Sequence, residues 1–280
     1  MKDLHFEFSM KADKKKVWDI MLSHGTYEIW TSEFGAGSTF EGSWDKGSKI
    51  KFLGPDGQGM FSEIEENKPY EFVSIKHLGE LKDGAESSKK WENAHENYTF
   101  TEKDGMTEVK VDALGVPDEF EKMFTDMWPN ALKKLKDLAE SENMLTVQTV
   151  INAPIDKVWK YWNEPEHITK WAFASDDWQA PRAENDLKVG GKFTTRMEAK
   201  DGSAGFDLSG TYTEVEPNLS IGYTMDGDGK RKVWTLFQKQ ADDKVKVTSV
   251  FEKENENPEE MQRGGWQAIL ENFKKYVEAN

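Results

Sequence analysis

The sequence predicts an α+β protein made of two tandem units, each a curved antiparallel sheet wrapped around a long helix that closes the unit. Three observations carry this reading. Two amphipathic helical stretches, Asp118–Glu140 and Pro258–Ala279, each end a series of alternating, strand-like segments. The order of strand, helix, irregular aromatic stretch, strands and long helix occurs twice. Matching residues also recur at nearly constant spacing: Val17-Trp18 with Val158-Trp159 and Trp30 with Trp171 at 141 residues, and Trp128 with Trp266 at 138. The join falls within Glu140–Met144, which gives units of residues 1–141 and 142–280.

In the first unit, Leu4, Phe6, Phe8 and Met10 alternate as a strand, and Asp13 can cap a helix whose inward positions are Val17, Trp18 and Met21. Trp30–Trp44 is irregular and aromatic, with bends at Gly35, Gly37 and Gly42. Strands are expected at Lys49–Leu53, Gly59–Glu65, Tyr70–His77, Ala94–Glu102 and Glu108–Ala113, the last two joined through Asp104-Gly105. Leu78–Trp91 is charged, lacks periodic hydrophobicity and is expected to be a mobile loop. The closing helix carries a stripe of Phe120, Phe124, Met127, Trp128, Leu132, Leu135 and Leu138; Pro129 should kink or divide it.

The second unit repeats this order. Leu145–Ile151 reads as a strand, Pro154 opens a helix bearing Val158, Trp159 and Trp162, and Trp171–Trp178 is again irregular. Strands are expected at Gly191–Ala199, Gly205–Glu214, Leu219–Met225, Arg231–Lys239 and Lys244–Glu252, with Asp201-Gly202 and Asp242-Asp243 at bends. The terminal helix starts at Pro258, where a missing N–H costs nothing, and presents Trp266, Ile269, Leu270, Phe273 and Val277 on one stripe. Gly264-Gly265 inside this pattern implies close packing, cavity volume, or a helix that starts only at Trp266.

Composition narrows the function. The chain has no cysteine, so disulfides and thiol nucleophiles are excluded, and 11 Trp with 12% aromatic residues rule out disorder. A formal charge of −15 opposes general binding to nucleic-acid backbone. Without a secretion signal or a membrane-length apolar run, a cytoplasmic location and no membrane insertion are expected.

The five histidines show no zinc spacing, and Asp176-Asp177, Asp226 with Asp228, and Asp242-Asp243 do not follow a calcium loop. Phosphate-loop, dinucleotide and nucleophile-elbow motifs are also missing, so neither cofactor nor metal is expected. His24 and His95-Glu96 are acid–base candidates or simply surface and loop residues.

Several motifs of the second unit carry a family resemblance: Asn152-Ala153-Pro154 before Lys157-Val158-Trp159, Glu164-Pro165-Glu166-His167-Ile168-Thr169-Lys170-Trp171, Asp186-Leu187-Lys188-Val189-Gly190-Gly191-Lys192-Phe193, Gly210-Thr211-Tyr212, and Gly265-Trp266-Gln267-Ala268-Ile269-Leu270. With these, Leu145–Ala279 resembles the START-related helix-grip (SRPBCC) proteins of the kind named after the C-terminal domain of the activator of the Hsp90 ATPase. The first unit is a more divergent copy, with Lys46-Gly47-Ser48 where the second has Gly190-Gly191.

The resemblance implies a sheet of about seven strands around the long helix, with a deep cavity between them. Its relatives include carriers of lipids and small hydrophobes, aromatic polyketide cyclases and the co-chaperone itself. Residues at a cavity mouth would be Trp171, Phe173, Trp178, Arg196, Tyr212, Tyr223, Trp234, Phe251 and Trp266; these either fill a core or touch a ligand. Arg196 is a candidate for holding a ligand carboxylate, although regular alternation turns it outward from Phe193 and Met197. His167 belongs to the turn before Trp171 and is expected to shape it.

Binding of a small hydrophobic or amphipathic ligand, chiefly by the second unit, is the leading expectation. Regulation of an Hsp90-type chaperone by protein contacts and cyclase- or hydrolase-like catalysis on a hydrophobic substrate are the alternatives.

Overall fold

The computed structural model describes every residue except 92, 142–143, 228–229 and 241–242, and of 88–90 the backbone alone. Asp228 and Asp242, weighed above as cation or bend residues, lie outside the described residues. The chain divides into two compact units, Met1–Ser141 and Glu142–Asn280.

In the first unit, β1 (Lys2–Met10) leads into α1 (Lys14–Leu22) and α2 (Thr26–Thr31). Next come β2 (Thr39–Gly42), β3 (Lys49–Leu53), β4 (Gly59–Lys68), β5 (Phe72–Lys82), β6 (Ala85–Lys90), β7 (His95–Lys103), β8 (Met106–Val116) and the closing α3 (Asp118–Glu140). The sheet order is β1-β8-β7-β5-β4-β3-β2, with β6 paired to β5. Asp13 caps α1 by accepting the Lys16 N–H at 2.8 Å, and Val17, Trp18 and Met21 are buried. Asp104 and Gly105 both have positive φ, as a tight two-residue hairpin requires.

Three expectations for this unit need correction. The supposed loop Leu78–Trp91 instead continues β5 and returns as β6 through Asp83-Gly84, again with two positive φ values. Part of the irregular aromatic stretch is the strand β2. Pro129 does not divide α3, which runs unbroken from Asp118 to Glu140. Pro129, which has no N–H to donate, and Thr125, whose carbonyl that N–H would have reached, both lie on the exposed face, while buried Trp128, Ala131 and Leu132 hold the helix to the sheet.

The second unit comprises β9 (Met144–Asn152), α4 (Ile155–Asn163), α5 (Pro165–Trp171), β10 (Trp178–Asn185), β11 (Lys192–Ala199), β12 (Gly205–Glu216), β13 (Ser220–Met225), β14 (Lys232–Gln240), β15 (Lys244–Glu252) and α6 (Glu259–Ala279). Its seven-stranded sheet has the order β10-β11-β12-β13-β14-β15-β9 with antiparallel neighbours. Helix α6 runs along β9, and α5 lies against β10. Val233, Phe237, Val245, Val247 and Phe251 from the sheet meet Val158 of α4 and Leu270, Phe273 and Val277 of α6 in one core.

Strand β10 starts at the end of the stretch that reads as irregular and runs through residues that periodicity assigns to no element, and helix α5 occupies what reads only as a turn. The helix α6 starts at Glu259 and passes through both glycines, so its start is not displaced to Trp266. A Cβ at Gly264 or Gly265 would meet no atom within 4 Å, which excludes close packing as their reason.

Candidate ligand cavity

Along β11, β12, β13 and β14 alternate side chains point toward α6. Thr195 pairs with Leu208, Met197 with Phe206, and Tyr212 with Tyr223, which places one row of inward residues beside the next. The C-terminal end of α6 is packed, with Phe273 and Val277 fully buried. Toward its N-terminal end Trp266 and Ile269 are only partly covered, and the sheet and helix leave a cavity of about 270 Å³. Its walls include Phe193, Leu208, Ile221, Met225 and Leu270, with Trp162, Ile168 and Trp171 closing it from α4 and α5.

The polar groups of the wall are few. Tyr212 donates its hydroxyl to Asn185 Oδ1 at 2.8 Å, and Asn185 in turn donates to the Asn163 carbonyl at 2.7 Å, fixing the ring between β12 and α4. Burial pushes the Tyr212 phenol well above its ordinary range, as it does that of Tyr223, where Arg231 pulls weakly the other way. Both tyrosines therefore stay neutral donors at physiological pH. Ser249 shares a hydrogen bond with Thr235 at 3.1 Å. Arg231 carries the one charge among the described wall residues.

Of the nine residues proposed from the sequence, Trp171, Tyr212, Tyr223 and Trp266 line the cavity. Phe251 lies behind Trp266, fully buried and stacked on it with ring centroids 4.1 Å apart. Trp178 packs 5.9 Å from Phe206, a wall residue, and Phe173 rests against the core cluster while its carbonyl accepts from Asn272.

Trp234 and Arg196 do not reach the cavity. Trp234 alternates with the inward Val233 and Thr235 and lies across from Gly222 on the outer face. Arg196 alternates with Thr195 and Met197 and is held outside by Glu198 at 3.1 Å and Asp207 at 3.6 Å.

Sequence reasoning missed Arg231, whose signal was its position two residues before Val233, in the inward phase of β14. His167 shapes its turn: it is stacked on Tyr161 at 3.8 Å, and its Nδ1 lies 2.9 Å from the Tyr276 hydroxyl. Glu164, Glu166 and His167 bring potential metal-ligand atoms within 4.8 Å of one another, the one such group among the described residues.

The first unit is filled where the second is hollow. Trp128, 2% exposed, meets the rings of Phe6, Trp30, Phe34 and Tyr98 at 4.9 to 6.3 Å. A small recess of about 20 Å³ between Met60, His77, Trp91 and Phe124 has room for roughly one water. His24 stacks on Phe40 and bonds the buried Glu28 at 2.7 Å, whereas the partly exposed His95 lies 3.1 Å from Glu65. The buried His77, unmarked by the sequence, bonds Ser62 at 2.9 Å. Both units use one anchoring device: Trp30 donates its ring N–H to the Met21 carbonyl and Trp171 to that of Tyr161, each at 3.0 Å.

A curved antiparallel sheet gripping a C-terminal helix, twice over, defines a START-like helix-grip protein, an architecture that cradles hydrophobic ligands. The profile described as "Activator of Hsp90 ATPase homolog 1-like protein" matches residues 11–140 and again 152–278, and the chain belongs to that family as a tandem member.

Among solved structures, the AHSA1-like protein from Aeromonas hydrophila is 40% identical over 49% of this chain and 93% of its own, with a TM-score of 0.46. Chr148 from Cytophaga hutchinsonii is 50% identical over 48% and 92%, with a TM-score of 0.42. The di-domain ARO/CYC BexL of the BE-7585A biosynthetic pathway aligns with 100% of this chain and 98% of its own at 12% identity and a TM-score of 0.43. No curated protein matches the chain. No helix among the described residues is long and apolar enough to cross a membrane.

Proposed function

We propose that the second unit binds a small apolar or amphipathic molecule between its sheet and α6. The observation that carries this reading is the cavity of about 270 Å³, walled by aromatic and aliphatic side chains beside a partly uncovered Trp266. Its size lies near the lower end of the ~300–1,000 Å³ usual for small-molecule sites, which favours compact guests. The described wall contains no His, Asp or Glu, so binding has more support than acid–base catalysis. Native mass spectrometry of gently extracted protein, with thermal shifts against a panel of compact apolar compounds, tests the proposal. Retained mass or ligand-dependent stabilisation is the expected result, and consistent absence of both overturns it.

Family membership supports a second reading, regulation of an Hsp90-type chaperone. Chaperone ATPase turnover with and without this protein decides that question, an unchanged rate removing the reading.

A further inference from the structure

Arg231 is partly buried at the wall of the cavity, although its surroundings there are apolar. Its main chain pairs with Met225 at the end of β13, and its guanidinium donates through Nη1 to the Glu252 carbonyl at 3.4 Å. No carboxylate of the described residues lies within ion-pair distance of it. Glu254 is near enough to feel its charge, but the Glu254 oxygens accept from the Glu256 and Asn257 N–H groups and from Asn257 Nδ2.

Among the described residues, most of this five-donor group therefore finds no partner at an apolar wall. On the adjacent strand the Tyr223 hydroxyl also has no hydrogen-bond partner among the described residues, and its half-buried ring lines the same space. A cation with spare donors and a neutral phenol on the wall of the same cavity match the planar, two-oxygen acceptor of a carboxylate.

We infer that the ligand of the second unit is a compact amphipathic carboxylic acid, its carboxylate held by Arg231 and Tyr223 and its apolar body lying along Trp266 and Ile269. This rests on the ligand-binding reading of the same cavity. It also assigns to Arg231 the role that the sequence suggested for Arg196.

The test compares decanoate with 1-decanol by titration calorimetry on the full chain, using wild type, Arg231→Gln and Tyr223→Phe. Wild type is expected to prefer decanoate by about 10- to 100-fold, the range of a charge-assisted hydrogen bond. Arg231→Gln should erase that preference while keeping its affinity for decanol, which also reports that the variant is folded. Tyr223→Phe should reduce the preference in part. Equal binding of the two compounds by wild type, or an undiminished preference in Arg231→Gln, overturns the carboxylate assignment and leaves the cavity reading standing. Failure of both compounds to bind wild type also overturns the assignment, and the compound panel then decides the cavity reading separately.

Discussion

Trp128 and Trp266 occupy matching positions in the two closing helices, yet one is a core residue and the other a wall. Trp128 is surrounded by rings, so Trp128→Ala should cost about 3–5 kcal/mol in urea unfolding. Trp266 already faces open space on one side, and Trp266→Ala should cost clearly less; equal losses would contradict the difference in packing. Glu28 offers a second test. Burial alone would raise its carboxyl, but hydrogen bonds from His24, Thr39 and the Gly25 N–H together bring it below its ordinary value of 4.5. Because the folded value is the lower one, the stabilisation is present above about pH 4.5 and is lost as pH falls through the folded value. Protection factors of first-unit amides, which divide out the intrinsic pH dependence of exchange, should therefore fall with acidification in wild type and fall less in Glu28→Gln. At this scale the sequence was partly legible. Alternation correctly turned Arg196 outward, whereas Arg231 was overlooked although it opens the expected strand Arg231–Lys239 in the inward phase, because a charged residue there carries no apolar mark.

Among the elements, α6 carries a stability cost that packing does not explain. Two glycines lie in its interior with open space where a Cβ would stand, so Gly264→Ala and Gly265→Ala should each stabilise the second unit by about 0.5–1 kcal/mol in thermal or urea unfolding. Gly191 behaves in the opposite way. Its Cβ would fall 2.0 Å from the Asp186 carbonyl oxygen in the turn that hydrogen-bonds to Tyr212, so Gly191→Ala should destabilise by more than about 1 kcal/mol. Long periodic helices and central strands were legible because burial on one face imposes their pattern. The elements that were not legible have identifiable reasons. Strand β10 is an edge strand interrupted at Pro181, where its register shifts, and β6 is too charged to show a buried face. Even so, Asp83-Gly84 was as good a turn signal as Asp104-Gly105.

On the scale of the whole molecule, duplication was readable because loop changes shift residue spacing slowly while the Trp and Val-Trp landmarks persist. The family resemblance pointed to the second copy as the binder, but periodicity alone did not show which copy is hollow, since volume depends on how rings from distant elements interlock: Phe34 and Tyr98 converge on Trp128, and no comparable set fills the space beside Ile269. Replacing Ile269 with Trp should narrow that space and weaken the thermal shift produced by decanoate, while the unliganded protein remains folded by circular dichroism; an unaltered shift would place the guest elsewhere. An interior with a missing piece has a further effect. A guest that enters completes the core of its host, adding stability in proportion to the logarithm of its free concentration once binding saturates. One half of the chain should melt at a temperature indifferent to the guest, and the other should rise with each addition of it, so that the protein's own heat resistance meters how much guest is dissolved around it.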